Sequence, residues 1–161
     1  MAAQVRVGIG YDIHRLVSDR PLVLGGVRIE HDRGLLGHSD GDIVLHSLAD
    51  ALLGAAGMGD IGELFPDTDP AYKDVDSREL LKDVFGRLRD AGFRPGNVDI
   101  IIHAERPNLS RYKKAIGESV AGLLEMPVAG VNVKAKTNEG LGPVGAREGM
   151  ACTAVVSLLS G

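Results

Sequence analysis

The segment that most constrains this chain is residues 8–14, Gly-Ile-Gly-Tyr-Asp-Ile-His, where two metal-ligand side chains follow two glycines. Side chains alternate between the two faces of a β-strand. If residues 5–15 form a strand, Asp12 and His14 lie on the same face as the glycines, opposite the valines. A carboxylate and an imidazole about 7 Å apart along a strand can converge on one divalent metal. The alternative is a polar pair at a sheet edge that is hydrogen-bonded to its surroundings.

A third candidate ligand follows at the start of a predicted helix. Serine, aspartate and glycine precede an apolar periodic segment, which predicts a helix from about residue 42 to 57. His46 lies one turn inside this helix, and Asp42 lies four residues earlier on the same face, where it could orient the imidazole. With Asp12 and His14, His46 completes a set of three zinc ligands that leaves a fourth position open.

Length and charge limit the class of protein. A chain of 161 residues predicts one domain, residues 1–161, with a substantial hydrophobic core. With 22 acidic residues against 18 basic ones and no Trp, the surface carries no sign of nucleic-acid or membrane binding. We therefore expect any bound phosphate to be met by local donors or metal ions.

Cysteine usage and hydropathy bear on the compartment. The single cysteine, Cys152, lies in an apolar strand pattern, which favours a structural thiol and excludes a disulfide within the chain. No apolar run approaches the length of a membrane span, and residues 1–4 are too short for a signal peptide. We expect a cytoplasmic protein.

The remaining pattern predicts elements in the order β, β, α, α, β, α, β, β. The second strand, residues 21–29, contains a Gly-Gly bend and is the simplest antiparallel partner of the first. A capping sequence at residues 76–79 begins a helix that ends at Gly92, and another helix stops before Pro127. Further strands are expected at residues 97–103, 131–137 and 149–159. This order indicates an α+β fold with helices on one face of a mostly antiparallel or mixed sheet.

Two other segments carry candidate binding chemistry. Residues 59–70 hold two prolines, two glycines and four acids, which excludes a regular element and suits either a functional loop or a plain surface connection. In residues 136–143, Thr137 and backbone N–H groups could donate to a diphosphate while Glu139 holds Mg²⁺. A Gly-rich hairpin connection is the competing interpretation. His103 alone is an ordinary strand-end histidine.

Several motifs occur together in an order typical of one family. They are Gly-Tyr-Asp12-Ile-His14, His38-Ser39-Asp40-Gly41-Asp42 with His46, Gly59-Asp60-Ile61-Gly62 with Phe65-Pro66-Asp67-Thr68-Asp69, Val131-Asn132-Val133-Lys134-Ala135, and Arg147-Glu148-Gly149. Over essentially its whole length the chain resembles the 2-C-methyl-D-erythritol 2,4-cyclodiphosphate synthases of the non-mevalonate isoprenoid pathway.

The resemblance implies a fold, an assembly and a reaction. The implied fold is a ferredoxin-like sandwich, assembled as a homotrimer with active sites between subunits. The implied reaction is an intramolecular phosphoryl transfer in 4-diphosphocytidyl-2-C-methyl-D-erythritol 2-phosphate. Its 2-phosphate attacks the β-phosphorus, expels CMP and leaves a cyclic diphosphate, so the enzyme positions groups and neutralises charge.

The resemblance also implies roles for individual residues. Asp12, His14 and His46 would bind one Zn²⁺ per subunit, and Glu139 would hold Mg²⁺ or Mn²⁺ against the substrate diphosphate. His38 and Thr137 match positions that stabilise the transferring group. The implied substrate contacts are Asp12, His14, His38, Ser39, Asp60, Ile61, Gly62, Phe65, Pro66, Asp67, Thr68, Asp69, Ala104, Pro107, Asn108, Leu109, Ser110, Lys136, Thr137, Asn138, Glu139 and Arg147; those from Ala104 to Ser110 and Lys136 match the wall that holds the cytidine.

The chain departs from the family pattern near its C-terminal strand. Where many members have Gly-Phe-x-Gly-Arg, this chain has Gly-Pro-Val-Gly-Ala at residues 142–146. Arg147 follows directly, but a neighbouring strand residue faces the other way unless the backbone bulges. Asn138 stands where a threonine is more usual.

Two other functions compete with the synthase. A zinc hydrolase would use the open metal position to activate water against a phosphoester. Such an enzyme usually needs a general base near that water, and the nearby acids are already assigned to metal or loop roles. A non-catalytic module would bind nucleotides or isoprenoid precursors without turnover.

Overall fold

The computed structural model describes residues 4–160, which form seven strands and five α-helices. The strands are β1 Gln4–Ser18, β2 Leu22–Leu24, β3 Val27–Ile29, β4 Arg33–Leu35, β5 Phe93–His103, β6 Val131–Lys136 and β7 Gly149–Ser160. The helices are α1 Ile43–Ala56, α2 Ile61–Leu64, α3 Ser77–Asp90, α4 Lys113–Leu123 and α5 Gly142–Gly145. Short 3₁₀ turns lie at Pro70–Tyr72, Ser110–Tyr112 and Val128–Gly130.

Five strands form one mixed sheet in the order β4-β1-β7-β5-β6. Strands β5 and β6 are parallel, and the other neighbours are antiparallel. The predicted α+β fold with a mixed sheet is therefore confirmed. Because β5 lies between β6 and β7, residues 137–148 cross over a strand. The hairpin interpretation of this segment is wrong.

The second predicted strand is two strands, and it does not pair with β1. Strands β2 and β3 form a separate two-stranded sheet. The turn between them is Gly25–Gly26, with φ of 63° and 75°, which suits the tight left-handed turn of a two-residue hairpin. The partners of β1 are β4 and β7. The expectation failed because strand alternation identifies faces but not neighbours.

The helices cover one face of the large sheet. Gly8 and Gly10 of β1 are buried against α1, and a Cβ on Gly10 would lie 1.8 Å from the Ser47 carbonyl oxygen. Helices α3 and α4 contact β5 and β6. The opposite face of the sheet exposes large apolar side chains, which are Val5, Val7, Ile9, Tyr11, Ile13 and Val155.

The predicted helix limits are confirmed. Asp42 caps the N-terminus of α1, and Gly57 ends it in a left-handed conformation with φ of 72°. Asp76 caps α3, and the chain leaves that helix through Gly92, with φ of 83°. Residues 59–70, expected to hold no regular element, contain the single turn of α2, which Asp60 caps. Among residues 4–160, no helix is both long and apolar enough to cross a membrane.

Candidate active site

Three predicted metal ligands meet where β1 passes the first turn of α1. The Asp12 Oδ2 atom lies 3.1 Å from His14 Nε2 and 3.0 Å from His46 Nδ1. One ligand atom from each residue lies within 4.8 Å of the other two. Strand alternation brings Asp12 and His14 to the helix-covered face, and the close contact of the β1 glycines with α1 brings His46 within reach.

The environment of these three side chains suits a cation. His14 Nδ1 is bonded to the Leu36 carbonyl oxygen. A carbonyl can only accept, so Nδ1 carries a proton and donates to Leu36, and Nε2 is the ring nitrogen that faces Asp12. A carboxylate and imidazole nitrogens on adjacent elements are the ligand types of zinc sites. The residues present therefore fit a divalent metal.

The pKa shifts of Asp12 and His14 also favour a cation at this position. Burial acts to raise the pKa of Asp12, but the hydrogen bonds from His14 and His46 outweigh it and the pKa is lowered. The hydrogen bond to Asp12 raises the pKa of His14. The site therefore holds a carboxylate anion between two imidazoles, and positive charge is favoured at this point.

Asp42 does not orient His46, contrary to the sequence-based expectation. Its carboxylate accepts hydrogen bonds from the backbone N–H groups of Gly25, Gly26, Val44 and Leu45. An N-cap side chain bends back to the first helical amides, so it cannot also reach a residue one turn further on. His46 Nε2 instead meets the hydroxyl oxygens of two serines from outside α1, Ser77 at 2.8 Å and Ser39 at 3.1 Å.

The three candidate metal ligands lie at a first cleft of about 260 Å³. Its lining includes many residues predicted from the sequence, which are Asp12, His14, His38, Ser39, His46, Ile61, Gly62, Phe65 and Asp67. His38 Nε2 lies 3.2 Å from the Asp69 carbonyl oxygen, so the loop over residues 66–69 is tied to the cleft wall. The predicted contacts Asp60, Pro66, Thr68 and Asp69 belong to the same segment but are not among the lining residues.

A second cleft of about 360 Å³ lies at the ends of β5 and β6. Every predicted residue of the cytidine wall lines it, together with Thr137 and Arg147: Ala104, Pro107, Asn108, Leu109, Ser110 and Lys136. The predicted contacts Asn138 and Glu139 do not line it. The backbone N–H of Asn138 donates to Glu105 Oε1 at 2.7 Å, and Glu139 is exposed.

Arg147 reaches the second cleft through an unusual backbone conformation. It precedes β7 and has φ of 60°, in the left-handed region. Because Arg147 lies outside the strand, the alternation of strand side chains does not determine which way it faces. Its carbonyl oxygen accepts a hydrogen bond from Arg33 Nη1 at 3.1 Å, and its side chain lies among the residues of the second cleft.

Sequence reasoning missed the roles of three residues in or beside the two clefts. Asp50 lies one turn after His46, lines the first cleft and accepts from the Ile61 N–H at 2.8 Å; burial raises its pKa. Its spacing of four residues from His46 was the available signal. Glu105 lines the second cleft and accepts from the Asn138 N–H after β6. The sequence predicts Ser77 only as part of a capping sequence, but its hydroxyl contacts His46.

Comparison with known proteins identifies relatives over the full length of the chain. The model of the YgbB family matches residues 5–159. The curated 2-C-methyl-D-erythritol 2,4-cyclodiphosphate synthase of Bordetella petrii is 53% identical over 160 residues, which are 99% of this chain and 98% of that one.

Solved structures of similar proteins share the fold. The bifunctional IspDF of Campylobacter jejuni is 45% identical with a TM-score of 0.96, and the match covers 99% of this chain and 43% of that protein. The CDP complex of IspF from Plasmodium falciparum is 36% identical with a TM-score of 0.85, over 97% of this chain and 96% of that one.

Proposed function

The chain belongs to the YgbB family, and we propose that it catalyses the reaction for which its curated relatives are named, the formation of 2-C-methyl-D-erythritol 2,4-cyclodiphosphate. The observation that carries this proposal is the meeting of Asp12, His14 and His46 at a cleft. The substrate is 4-diphosphocytidyl-2-C-methyl-D-erythritol 2-phosphate, and the product serves isoprenoid precursor synthesis.

The reaction exchanges one phosphorus–oxygen bond for another within one molecule. An oxygen of the 2-phosphate bonds to the β-phosphorus, the bond from that phosphorus to the bridging oxygen breaks, and CMP leaves with the α-phosphate. No residue needs to form a covalent intermediate. The tasks of the protein are to hold the two phosphates in line and to neutralise their charge.

The first cleft holds the reacting phosphates. Asp12, His14 and His46 would hold one Zn²⁺, which when bound supplies positive charge that polarises and orients the β-phosphate. His38 is anchored to the carbonyl of Asp69 and so keeps its ring at the cleft wall. In that place it stabilises the transferring phosphoryl group.

The second cleft holds the cytidine and its α-phosphate. Residues 104–110 and Lys136 form its walls. The Thr137 hydroxyl oxygen accepts from the Glu139 N–H at 3.3 Å, which leaves its proton free to donate to a phosphate oxygen. Glu139 is exposed beside this cleft and offers a carboxylate that would hold Mg²⁺ or Mn²⁺, which supplies charge between the α- and β-phosphates. The CDP complex of the Plasmodium falciparum relative supports a cytidine nucleotide as a bound group.

The active site is shared between subunits of a homotrimer. The two clefts of one chain have no lining residue in common, although one substrate must touch both sets. The apolar face of β1 offers a surface for assembly, with Ile9 exposed to 69% and Val7 to 67%. We infer one domain in each subunit, which the single hydrophobic core supports, and a ferredoxin-like arrangement of its helices and sheet.

Product analysis tests the synthase against the alternative of a zinc-dependent phosphoester hydrolase, which the comparisons do not support. Purified protein is incubated with the substrate and Mg²⁺ in ¹⁸O-labelled water. We expect equal amounts of CMP and the cyclic diphosphate, both without label from water. A linear product that carries ¹⁸O would contradict cyclisation, and tight binding without turnover would indicate the non-catalytic module.

A further inference from the structure

A buried hydroxyl from another helix contacts the outer side of the metal ligand His46. Ser77 is the first residue of α3 and is 1% exposed. Its Oγ lies 2.8 Å from His46 Nε2, the ring nitrogen that faces away from Asp12. The other ring nitrogen, Nδ1, lies 3.0 Å from Asp12 Oδ2. A hydrogen bond with Ser77 can therefore determine whether His46 Nε2 carries a proton.

The single proton of the Ser77 hydroxyl is already committed to Asp40. Ser77 Oγ donates to Asp40 Oδ1 at 2.5 Å, and the Ser77 backbone N–H donates to Asp40 Oδ2 at 3.0 Å. Asp40 Oδ1 also accepts from the backbone N–H of Asp42 at 3.1 Å. Asp40 is the acceptor in all three hydrogen bonds, two of them from Ser77 and one from Asp42. The Asp40 carboxylate thus fixes the direction of the Ser77 hydroxyl.

The proton count then determines the state of the imidazole. Because the Ser77 hydroxyl donates to Asp40, its oxygen can only accept from His46. An unprotonated Nε2 would place two lone pairs 2.8 Å apart in a buried site, which is unfavourable. Nε2 therefore carries a proton in the direction of Ser77. Ser39 Oγ also lies 3.1 Å from this nitrogen. It accepts from the Gly41 N–H at 3.3 Å and can donate its own proton to Ser77 Oγ at 3.5 Å, so it can accept part of the same bond from Nε2.

We propose that Asp40 and Ser77 are positioning residues for the metal site, because they hold a proton of His46 on Nε2 and so leave Nδ1 as the nitrogen that would bind the metal. The chain of contacts runs from Asp40 through Ser77 to His46. This inference depends on the metal site of the proposed function, but not on the identity of the substrate. Outer hydrogen bonds of this kind typically change metal affinity by about 10- to 100-fold when they are removed.

The first test measures zinc affinity without substrate. Ser77→Ala is expected to raise the zinc dissociation constant by about tenfold or more, measured by competition with a chelator. Asp40→Asn should weaken binding in the same direction. Because Asp40 acts through Ser77, the double variant should bind zinc no more weakly than Ser77→Ala alone. Ser47→Ala is the matched control, since it removes a buried hydroxyl from α1 that donates to the Val44 carbonyl.

The second test observes the proton directly. In ¹H–¹⁵N spectra of imidazole nitrogens, His46 of the wild-type protein should show an Nε2–H signal protected from solvent exchange, with and without zinc. Ser77→Ala should lose that protection, and Ser77→Thr, which keeps the hydroxyl, should retain it. Thermal unfolding of each variant shows that it is folded.

Three results would overturn the proposal. They are an unprotected Nε2–H in the wild type, unchanged zinc affinity in Ser77→Ala, and additive losses in the double variant, which would indicate two unrelated structural effects. A wild-type chain that cyclises no substrate but binds zinc would contradict the proposed function. The zinc affinities and the Nε2–H signals would still test the role of Ser77. If the wild type bound no zinc, the metal site would be wrong, and the role of Ser77 would fail with it.

Discussion

His14 and His46 each make a hydrogen bond through the ring nitrogen that faces away from Asp12. His14 donates from Nδ1 to the Leu36 carbonyl, and His46 meets Ser77 through Nε2. The inner nitrogens, His14 Nε2 and His46 Nδ1, approach the same oxygen of Asp12 at 3.1 and 3.0 Å. Such an arrangement needs positive charge at its centre. A metal ion is the simplest source of this charge, since one ligand atom from each of the three residues lies within 4.8 Å of the other two.

The first residue-scale prediction concerns His46. His46→Ala removes one of three ligands, so zinc should fall from about one ion per chain to a small fraction of that, and nearly all synthase activity should be lost. The fold should survive, because the hydrophobic core does not depend on this side chain. His103→Ala is the control, since His103 lies on β5 and is bonded to Thr153 instead. Elemental analysis that finds zinc retained in His46→Ala would refute the ligand assignment.

The second residue-scale prediction separates stability from function at Arg147. A non-glycine residue in the left-handed region costs roughly 1–2 kcal/mol, and Arg147 has φ of 60°. Arg147→Gly should therefore unfold with a free energy about 1 kcal/mol higher than Arg147→Ala. Both variants lose the guanidinium from the second cleft, so both should raise KM for the substrate alike. Denaturant titration and steady-state kinetics measure the two quantities, and a rise in KM in only one variant would argue against a role for the guanidinium.

The sequence predicts a site residue when a local strand or helix pattern places it, and does not when the packing of distant elements places it. Asp12 and His14 share a face because of strand periodicity, and His46 follows from a capped helix, so all three could be found locally. Ser77 meets His46 and Asp40 only after α3 is packed beside α1. No periodicity joins residues 40 and 77, so this contact could not be predicted from the sequence.

At the scale of elements, the contact between α1 and β1 sets the height of His46 above Asp12. A Cβ at Gly10 would lie 1.8 Å from the Ser47 carbonyl oxygen, and one at Gly8 would lie 1.9 Å from the Ala51 carbonyl oxygen. Both contacts are to helix backbone, which cannot move without displacing the whole element. The two glycines therefore bring the helix close enough for its histidine to join the strand ligands.

The element-scale prediction follows from this contact. Gly10→Ala should lower the free energy of unfolding by roughly 1–3 kcal/mol, the usual cost of an overpacked core, and should weaken zinc binding because α1 is displaced. Gly54→Ala is the control on the same helix. A Cβ there has its nearest neighbour 4.0 Å away and should raise stability by about 0.5–1 kcal/mol. Unchanged zinc affinity in a destabilised Gly10→Ala variant would separate helix packing from metal binding.

The elements themselves were largely predictable, and their pairing was not. Capping residues and periodicity located α1 and α3, and alternation located β1. Pairing depends on contacts that are distant in the chain: β1 and β7, joined along most of their length, come from opposite ends of the sequence. The Gly-Gly sequence predicts a bend, but the two left-handed glycines form the turn of a hairpin that is separate from the large sheet.

At the scale of the whole molecule, the exposed face of β1 is the feature that a single chain leaves unexplained. The sheet presents its apolar residues on the side that carries no helix, and Ile9 lies near their centre. Ile9→Asp should dissociate a trimer into monomers, because assembly would bury the new charge. Val128→Asp is the control, since it places the same charge on an exposed apolar residue of a 3₁₀ turn away from β1. Light scattering measures the mass, and an intact trimer in Ile9→Asp would move the interface elsewhere.

Mixed assembly provides the most direct test of a shared site. His46→Ala removes a proposed zinc ligand from the first cleft of its chain. Glu139→Ala removes the carboxylate proposed to bind Mg²⁺ or Mn²⁺ beside the second cleft. If each site combines the first cleft of one subunit with the second cleft of the next, unfolding and refolding the two variants together rebuilds complete sites. For random mixing around a closed ring, both halves are intact at roughly a quarter of the interfaces, the product of two one-half chances.

Recovery of activity near that fraction of the wild-type value is therefore expected from the co-refolded mixture, while variants refolded apart and then combined should stay inactive. Native mass spectrometry measures the share of mixed trimers, so the recovered activity can be compared with the number of rebuilt sites. Mixed trimers without activity would place both metal sites within one chain. The clefts would then have to close on each other inside a single subunit, and the apolar face of β1 would serve assembly without contributing to catalysis.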